Sequence, residues 1–247
     1  MKNANLNWIR LPLEGVENCR ELGGYSSELG QQTKWRSFLR SSDMGKLTQE
    51  DIQFLNEYGV KTVIDLRGED EIQESKNLLE NEVFCTYYNI PLITELVSNI
   101  AFTQEKVFMG EFYIELLENN IAIKNIFNTI GLSEEGCVIF HCAAGKDRTG
   151  VVAMLLLGLA GVEKKDIITN YEVTYTNLES LHHLGGKYKD IPKDLLQSNG
   201  DNIRFAYNYI LEKYHSVNGY LLAKGVDEEV IERVKNRLVL SADVTVV

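Results

Sequence analysis

The sequence predicts an α/β fold, a single domain built on a central, mainly parallel sheet flanked by helices. Three observations predict it. Apolar runs rich in β-branched or aromatic residues at 60–66, 83–90 and 137–141 have the length of strands, and Gly59, Pro91 and Gly136 punctuate them. Amphipathic stretches at about 104–118 and 120–130 fall between the second and third runs, as helices do when they cross over between parallel strands. Cys142 stands directly after the third run, where open α/β sheets bind their ligands, just past the carboxyl ends of the strands.

Taken in order, Leu47-Thr48-Gln49-Glu50-Asp51-Ile52 reads as a helix start. Thr48 is the N-cap, Asp51 holds the box position and Leu47 can staple onto Ile52. Gly59 ends that helix, and the first two strands follow it. After the third strand, Thr149 to Leu157 is apolar on nearly every side, the pattern of a buried helix. Past Gly161 a helix is expected over 164–180, carrying Tyr171 and Tyr175. Residues 181–200 contain Gly185-Gly186, Pro192 and Gly200 and read as a loop, so 164–200 is the candidate helical lid of a domain spanning 1–247. Asp201 or Asn202 is expected to cap a helix through Tyr214, and Asp227 one over 228–238. Tyr207, Tyr209 and Tyr214 read as packing residues. His182 and His183 would face different directions on a helix, which argues against shared metal ligation.

The chemistry concentrates at Cys137-Val-Ile-Phe-His141-Cys142-Ala-Ala-Gly145-Lys-Asp-Arg148-Thr-Gly150. Five residues between a thiol and a guanidinium let the backbone curl so that the amides of Ala143, Ala144, Gly145, Lys146, Asp147 and Arg148 point inward as an anion nest. The apolar helix that follows turns its positive end to the same pocket. Thiols near helix N-termini and cations ionise more readily than free ones, so Cys142 is the expected nucleophile, attacking phosphorus in line to give a phosphocysteine that water hydrolyses. Arg148 offers a planar fork for two phosphoryl oxygens, a role that lysine cannot fill. Gly145 supplies a backbone angle closed to other residues, Thr149 aims a hydroxyl at the sulfur, and His141 braces the loop. A nucleotide-binding loop is excluded, because Phe140 and Asp147 stand where it needs Gly and Ser or Thr.

The departing oxygen needs a general acid. No aspartate lies between Asp70 and Asp147, which leaves Asp147 in the loop, Asp65 or Asp70 after the first strand, or a glutamate. Asp147 is nearest by construction and is the expected acid and subsequent base. Asp65 and Arg67 end a strand beside the cradle, either as support for the loop and substrate or as a strand-end ion pair. Arg20 is expected to pair with an acidic neighbour rather than with substrate. Lys146 either meets a second phosphate or shields Asp147.

The loop resembles that of the protein tyrosine phosphatase superfamily, in particular the bacterial group reading His-Cys-x-x-Gly-Lys-Asp-Arg-Thr-Gly. Upstream, Asn18-Cys19-Arg20-Glu21-Leu22-Gly23-Gly24-Tyr25 is similar to that group's Asn-Phe-Arg-Asp-Leu-Gly-Gly-Tyr, with Cys19 replacing the usual aromatic and Glu21 the usual Asp. Arg40-Ser41-Ser42, Leu47-Thr48 and Val63-Ile64-Asp65-Leu66-Arg67 match its next landmarks. The resemblance implies phosphotyrosine hydrolysis, sometimes extended to phosphoserine, phosphothreonine or phosphoinositides, with a catalytic Asp inside the loop. The expected partner is a phosphorylated protein or phosphoinositide, and no metal or other cofactor is expected. Inositol polyphosphates would call for more lysines in the cradle than Lys146. Thr149 and the upstream landmarks argue against a sulfurtransferase, while a non-catalytic phosphoprotein-binding module is a third alternative.

Composition narrows the rest. With 25 basic and 36 acidic residues the net charge is -11, which argues against nucleic acid and anionic membranes as general partners. No run approaches the length of a membrane span, and residues 1–7 lack the apolar core of a signal peptide. Cysteines 19, 85, 137 and 142 show no metal-binding spacing, and one is needed reduced, so a cytoplasmic setting is expected. Oligomeric state is not legible.

Overall fold

Strands β1 (Arg20–Glu21), β2 (Phe38–Ser41), β3 (Val60–Asp65), β4 (Thr86–Asn89) and β5 (Cys137–His141) make one sheet in the order β1-β2-β5-β3-β4. The computed structural model describes residues 6–93, 108–178 and 197–240. Only the β1–β2 pairing is antiparallel; the others are parallel, as the crossover helices predict. In the register, Ser41 and Asp65 both pair with His141. Three parallel strands therefore end level, and Cys142 leaves the middle one at their shared carboxyl edge.

Period-2 alternation divides the core into two layers. Val138 and Phe140 of β5 join Phe38, Ile64 and the helices on one face; Cys137 and Ile139 join Leu39, Val63 and helix α1 (Gln49–Tyr58) on the other. The large layer is built by α3 (Met109–Glu118), α4 (Asn120–Leu132), α5 (Asp147–Leu159), α6 (Lys164–Glu172), α8 (Gly200–Tyr214), α9 (Val217–Ala223) and α10 (Glu228–Leu238). Short helices α2 (Glu69–Glu74) and α7 (Thr174–Asn177) lie outside that packing role. From Val151 to Leu157, α5 is buried on every side, so apolar packing anchors its N-terminus near the sheet edge.

Several boundaries differ from the sequence expectation. The strand expected over 83–90 is only Thr86–Asn89, because hydrogen bonds from Glu80 to Asn77 and from Glu82 to Leu79 turn the chain and leave Val83 fully exposed. β1 and β2 had no strand signature: one is two residues long, and the other buries Arg40 in mid-strand. The helix expected over 164–180 is interrupted at Val173. Asn199, rather than Asp201 or Asn202, caps α8 by accepting from the Asp201 amide. Asp227 precedes α10 but its side chain makes no cap hydrogen bond. Most of the expected lid at 181–200 lies outside the described residues, as do His182 and His183; within it, Gly200 starts α8. No helix among the described residues is long and apolar enough to cross a membrane.

The cap of α1 follows the sequence and does more. Thr48 and Asp51 form the reciprocal capping box, Gly59 ends the helix at φ 95°, and the Asp51 carboxylate also accepts from the amides of Glu14 and Gly15. Burial alone would raise the Asp51 pKa, but the backbone donors of Gly15, Thr48 and Glu14 outweigh it and hold the carboxyl below its ordinary value. Asp51→Ala is expected to cost about 3 kcal/mol and lower the melting temperature by roughly 6–12 °C. Because the native pKa is depressed, the contribution is complete above about pH 4 and disappears as pH falls through the native value. Urea unfolding of both proteins at pH 7 and pH 3 measures this, with a smaller gap between them at pH 3.

Candidate active site

The loop from Cys142 to Arg148 is held from its outer side. The Ala143 carbonyl accepts from the Asp43 amide at 2.9 Å, and the carbonyls of Ala144 and Gly145 accept from Asn18 Nδ2 at 3.0 Å each. Arg40 Nη2 adds bonds to the carbonyls of Gly145 at 2.8 Å and Lys146 at 3.4 Å. Within a planar trans peptide the N–H points opposite to the C=O, so these ties turn the amides of Ala144, Gly145, Lys146 and Asp147 to the inner side. Gly145 makes the curl feasible. Its φ is +67°, and a Cβ there would stand 2.4 Å from the Ser41 carbonyl oxygen.

Cys142 is buried, 3% exposed. Thr149 Oγ1, at the base of α5, is buried with no hydrogen-bond partner among the described residues. All four cysteines are free thiols.

His141 lies buried beside the loop, with its ring nitrogens facing Asn77 and the Cys142 carbonyl, and its tautomer can be assigned. The Leu79 amide donates to Asn77 Oδ1, which fixes the Asn77 amide with its nitrogen toward His141 Nε2 at 2.8 Å. That nitrogen can only donate, so Nε2 accepts and the ring proton sits on Nδ1, facing the Cys142 carbonyl at 3.3 Å. Burial holds the His141 pKa below its ordinary value although Asp65 lies 3.4 Å from Nε2, and the ring is neutral at pH 7.

Asp65 and Arg67 form both a strand-end ion pair and a support. Arg67 binds the Asp65 carboxylate with Nε and Nη2, and its Nη1 reaches Asp43 at 2.8 Å and the Ser75 carbonyl. Asp43 in turn ties Ala143, so the pair reaches the loop through one residue. Tyr87 also donates to Asp65.

Arg20 departs from the expectation of an acidic partner. On so short an extended segment Arg20 and Glu21 face opposite ways, and Glu21 is used by Tyr58 and the amides of Gly23 and Arg36. Arg20 instead donates to Asn18, the Asn170 carbonyl at 2.7 Å and Thr174 Oγ1 at 2.8 Å. Its cross-strand neighbour Arg40, completely buried, donates to the Asn170 side chain at 2.6 Å. Among the described residues neither guanidinium has a carboxylate partner. Burial lowers the Arg40 pKa to about 10, with the Cys142 sulfur the leading opposing influence; burial and Arg40 itself push Arg20 down as well.

Arg148 is gripped by a residue the sequence reading missed. Glu71 on α2 binds Nη1 and Nη2 at 2.6 and 2.7 Å, and its carboxylate also accepts from the Gly68 amide that opens α2. Burial would lower the Arg148 pKa, but Glu71, Cys142 and Asp147 together raise it. Asp147 is the first residue of α5 and keeps 27% of its side chain exposed. Its Oδ1 accepts from the Tyr113 hydroxyl at 2.5 Å and lies 3.6 Å from Lys146 Nζ. The Lys146 side chain is itself buried. Asp65 spends its oxygens on Arg67 and Tyr87, and Asp70 is an exposed residue of α2. Neither Tyr113 nor Glu71 carried a local signal, since each meets the loop only through the fold.

Comparison with known proteins gives the family. The model of the tyrosine phosphatase family matches residues 11–240. A tyrosine-protein phosphatase of Nostoc commune is 36% identical over 223 residues, covering 82% of this chain and 74% of the relative. The crystal structure of TpbA from P. aeruginosa covers 82% of this chain and 97% of its own, at TM-score 0.41 and 17% identity. A variant of TpbA in complex with phosphotyrosine gives TM-score 0.40 and 17% identity, covering 79% of this chain and 90% of its own. At those structural scores the assignment rests on the sequence matches: this chain belongs to the tyrosine phosphatase family and is a protein-tyrosine phosphatase.

Proposed function

We propose that this phosphatase works through a phosphocysteine on Cys142, with Arg148 holding the phosphoryl group and Asp147 serving as acid and then base. The observation that carries the reading is the loop whose carbonyls from Ala143 to Lys146 are tied from outside, which turns the amides behind them inward beside a buried thiol. In the first step the Cys142 sulfur forms a bond to phosphorus in line with the departing oxygen, the P–O bond breaks, and the Asp147 proton goes to that oxygen. In the second, water attacks phosphorus, Asp147 takes its proton, and the sulfur leaves as thiolate.

The other parts fit those steps. Glu71 takes two of the five N–H donors of Arg148 and leaves others for the phosphoryl oxygens. Ala143 to Arg148 supply the amide ring, while His141, Thr149, Asp65, Arg67 and Arg20 act as supports. Of the candidate acids, only Asp147 belongs to the loop itself and retains an exposed oxygen. The substrate class is a phosphotyrosine protein, with phosphoserine, phosphothreonine and phosphoinositides as extensions of the same chemistry. An inositol polyphosphate is disfavoured because the cradle from Ala143 to Arg148 carries a single lysine, Lys146. Four free thiols suit a cytoplasmic, reducing setting.

Phosphotyrosine peptide, phosphoserine peptide, phosphoinositide and inositol hexakisphosphate, assayed in chelator, separate these classes, with phosphotyrosine expected fastest. Cys142→Ser and Arg148→Lys are expected to lose roughly 10³-fold or more in kcat/KM, since each removes a group acting on the transition state. A Cys142→Ser protein that retains turnover would eliminate the intermediate.

Asp147→Asn is expected to slow poor leaving groups by about 10²–10⁴-fold and good ones far less. It should also remove the high-pH limb of the kcat/KM profile, where an acid must still hold its proton. Persistence of that limb would assign the proton to another group.

A further inference from the structure

Tyr113 is fully buried on α3, and its ring belongs to the core, stacked edge-on against Tyr171 with centroids 5.9 Å apart. The hydroxyl does something a core ring does not need. It donates to Asp147 Oδ1 at 2.5 Å and lies 2.5 Å from the Tyr171 hydroxyl. Each phenol has one proton. With Tyr113's given to Asp147, the proton between the two tyrosines must come from Tyr171. Two phenol hydroxyls thus run in series from Tyr171 on α6 through Tyr113 on α3 to one carboxylate oxygen of Asp147.

We propose that Tyr113 is a positioning residue for proton transfer: it fixes the Asp147 carboxyl through Oδ1, so that Oδ2 carries the proton to the departing oxygen. The inference rests on Asp147 being the acid and goes beyond it by naming which oxygen acts and what orients it. The geometry leaves little choice. Oδ1 faces the Tyr113 hydroxyl and Lys146 Nζ, whereas Oδ2 has no hydrogen-bond partner among the described residues. Burial and the neighbouring Asp147 raise the Tyr113 pKa well above that of a free phenol, so its hydroxyl remains a donor wherever the enzyme works. The groups facing Asp147 are Tyr113 and, behind it, Tyr171 from the helices, with Lys146 and Arg148 from the loop; Arg148 is itself paired with Glu71 on α2.

Removing the Tyr113 donor withdraws that fixation without altering ring packing. Tyr113→Phe is expected to lower kcat on an alkyl phosphate roughly tenfold with little change in KM, the size of one charge-assisted hydrogen bond. The loss on p-nitrophenyl phosphate, whose leaving group needs little help from an acid, is expected to be several-fold smaller. Tyr171→Phe should lower kcat on the alkyl phosphate in the same direction by less. A double-mutant cycle with Asp147→Asn separates positioning from packing: in that background Tyr113→Phe should change kcat less than twofold. Equal losses on both substrates, or a full loss in the Asp147→Asn background, would overturn the proposal while leaving Asp147 as acid. If Asp147→Asn alone keeps the high-pH limb, the acid assignment falls, and this inference with it.

Discussion

Everything at the site depends on turning a stretch of backbone inside out, carbonyls outward and amides inward. Left alone, a curled peptide would satisfy its carbonyls with water or with its own amides. Here Asn18, Asp43 and Arg40 take that role from the protein side. The strongest of the three is also the most expensive to bury. Arg40 is wholly enclosed, and its cross-strand neighbour Arg20 repeats the charge. Burying two guanidiniums without a carboxylate among the described residues costs several kcal/mol. Part of the compensation lies across the loop, where the Cys142 sulfur is the leading influence that favours the Arg40 charge. Scaffold and ligand site are therefore halves of one electrostatic arrangement.

The sheet makes that arrangement rigid. β2, β5 and β3 end level, which sets Ser41, His141 and Asp65 side by side below the cradle. Each then hands the loop something different: Ser41 a carbonyl wall against which only glycine fits, His141 a ring proton toward Cys142, and Asp65 an anchor for Arg67 and so for Asp43. From the opposite side α5 plugs its buried apolar length into the large core layer, so its first turn, with Asp147 and Arg148, has no freedom to drift.

What was readable in the chain follows from range. The strand, loop and helix from Cys137 to Leu159 and the cap at Thr48 are local patterns, and local patterns survive in a sequence. The parallel sheet followed from them. Arg40 was part of a recognisable landmark, yet its burial behind the cradle depends on pairings with residues more than a hundred positions away. Tyr113 and Glu71 were invisible for the same reason: each meets the loop through a contact separated by 34 or 77 residues. Arg20 misled because a charged pair adjacent in sequence invites a salt bridge, whereas an extended backbone sends the two side chains to opposite faces.

One feature of the second helix changes how robust the pocket is. α2 is six residues long and buries none of them, so polar ties alone dock it: Glu71 to Arg148 at its middle and Arg67 to the Ser75 carbonyl at its end. Such a segment sits at the weakly protected extreme of a protein's local opening energies. Arg148 thus takes its outer restraint from a helix with no buried residue. Conditions that leave the sheet and its apolar layers intact can release that side chain, so local opening at α2 frees Arg148 well before the fold is lost.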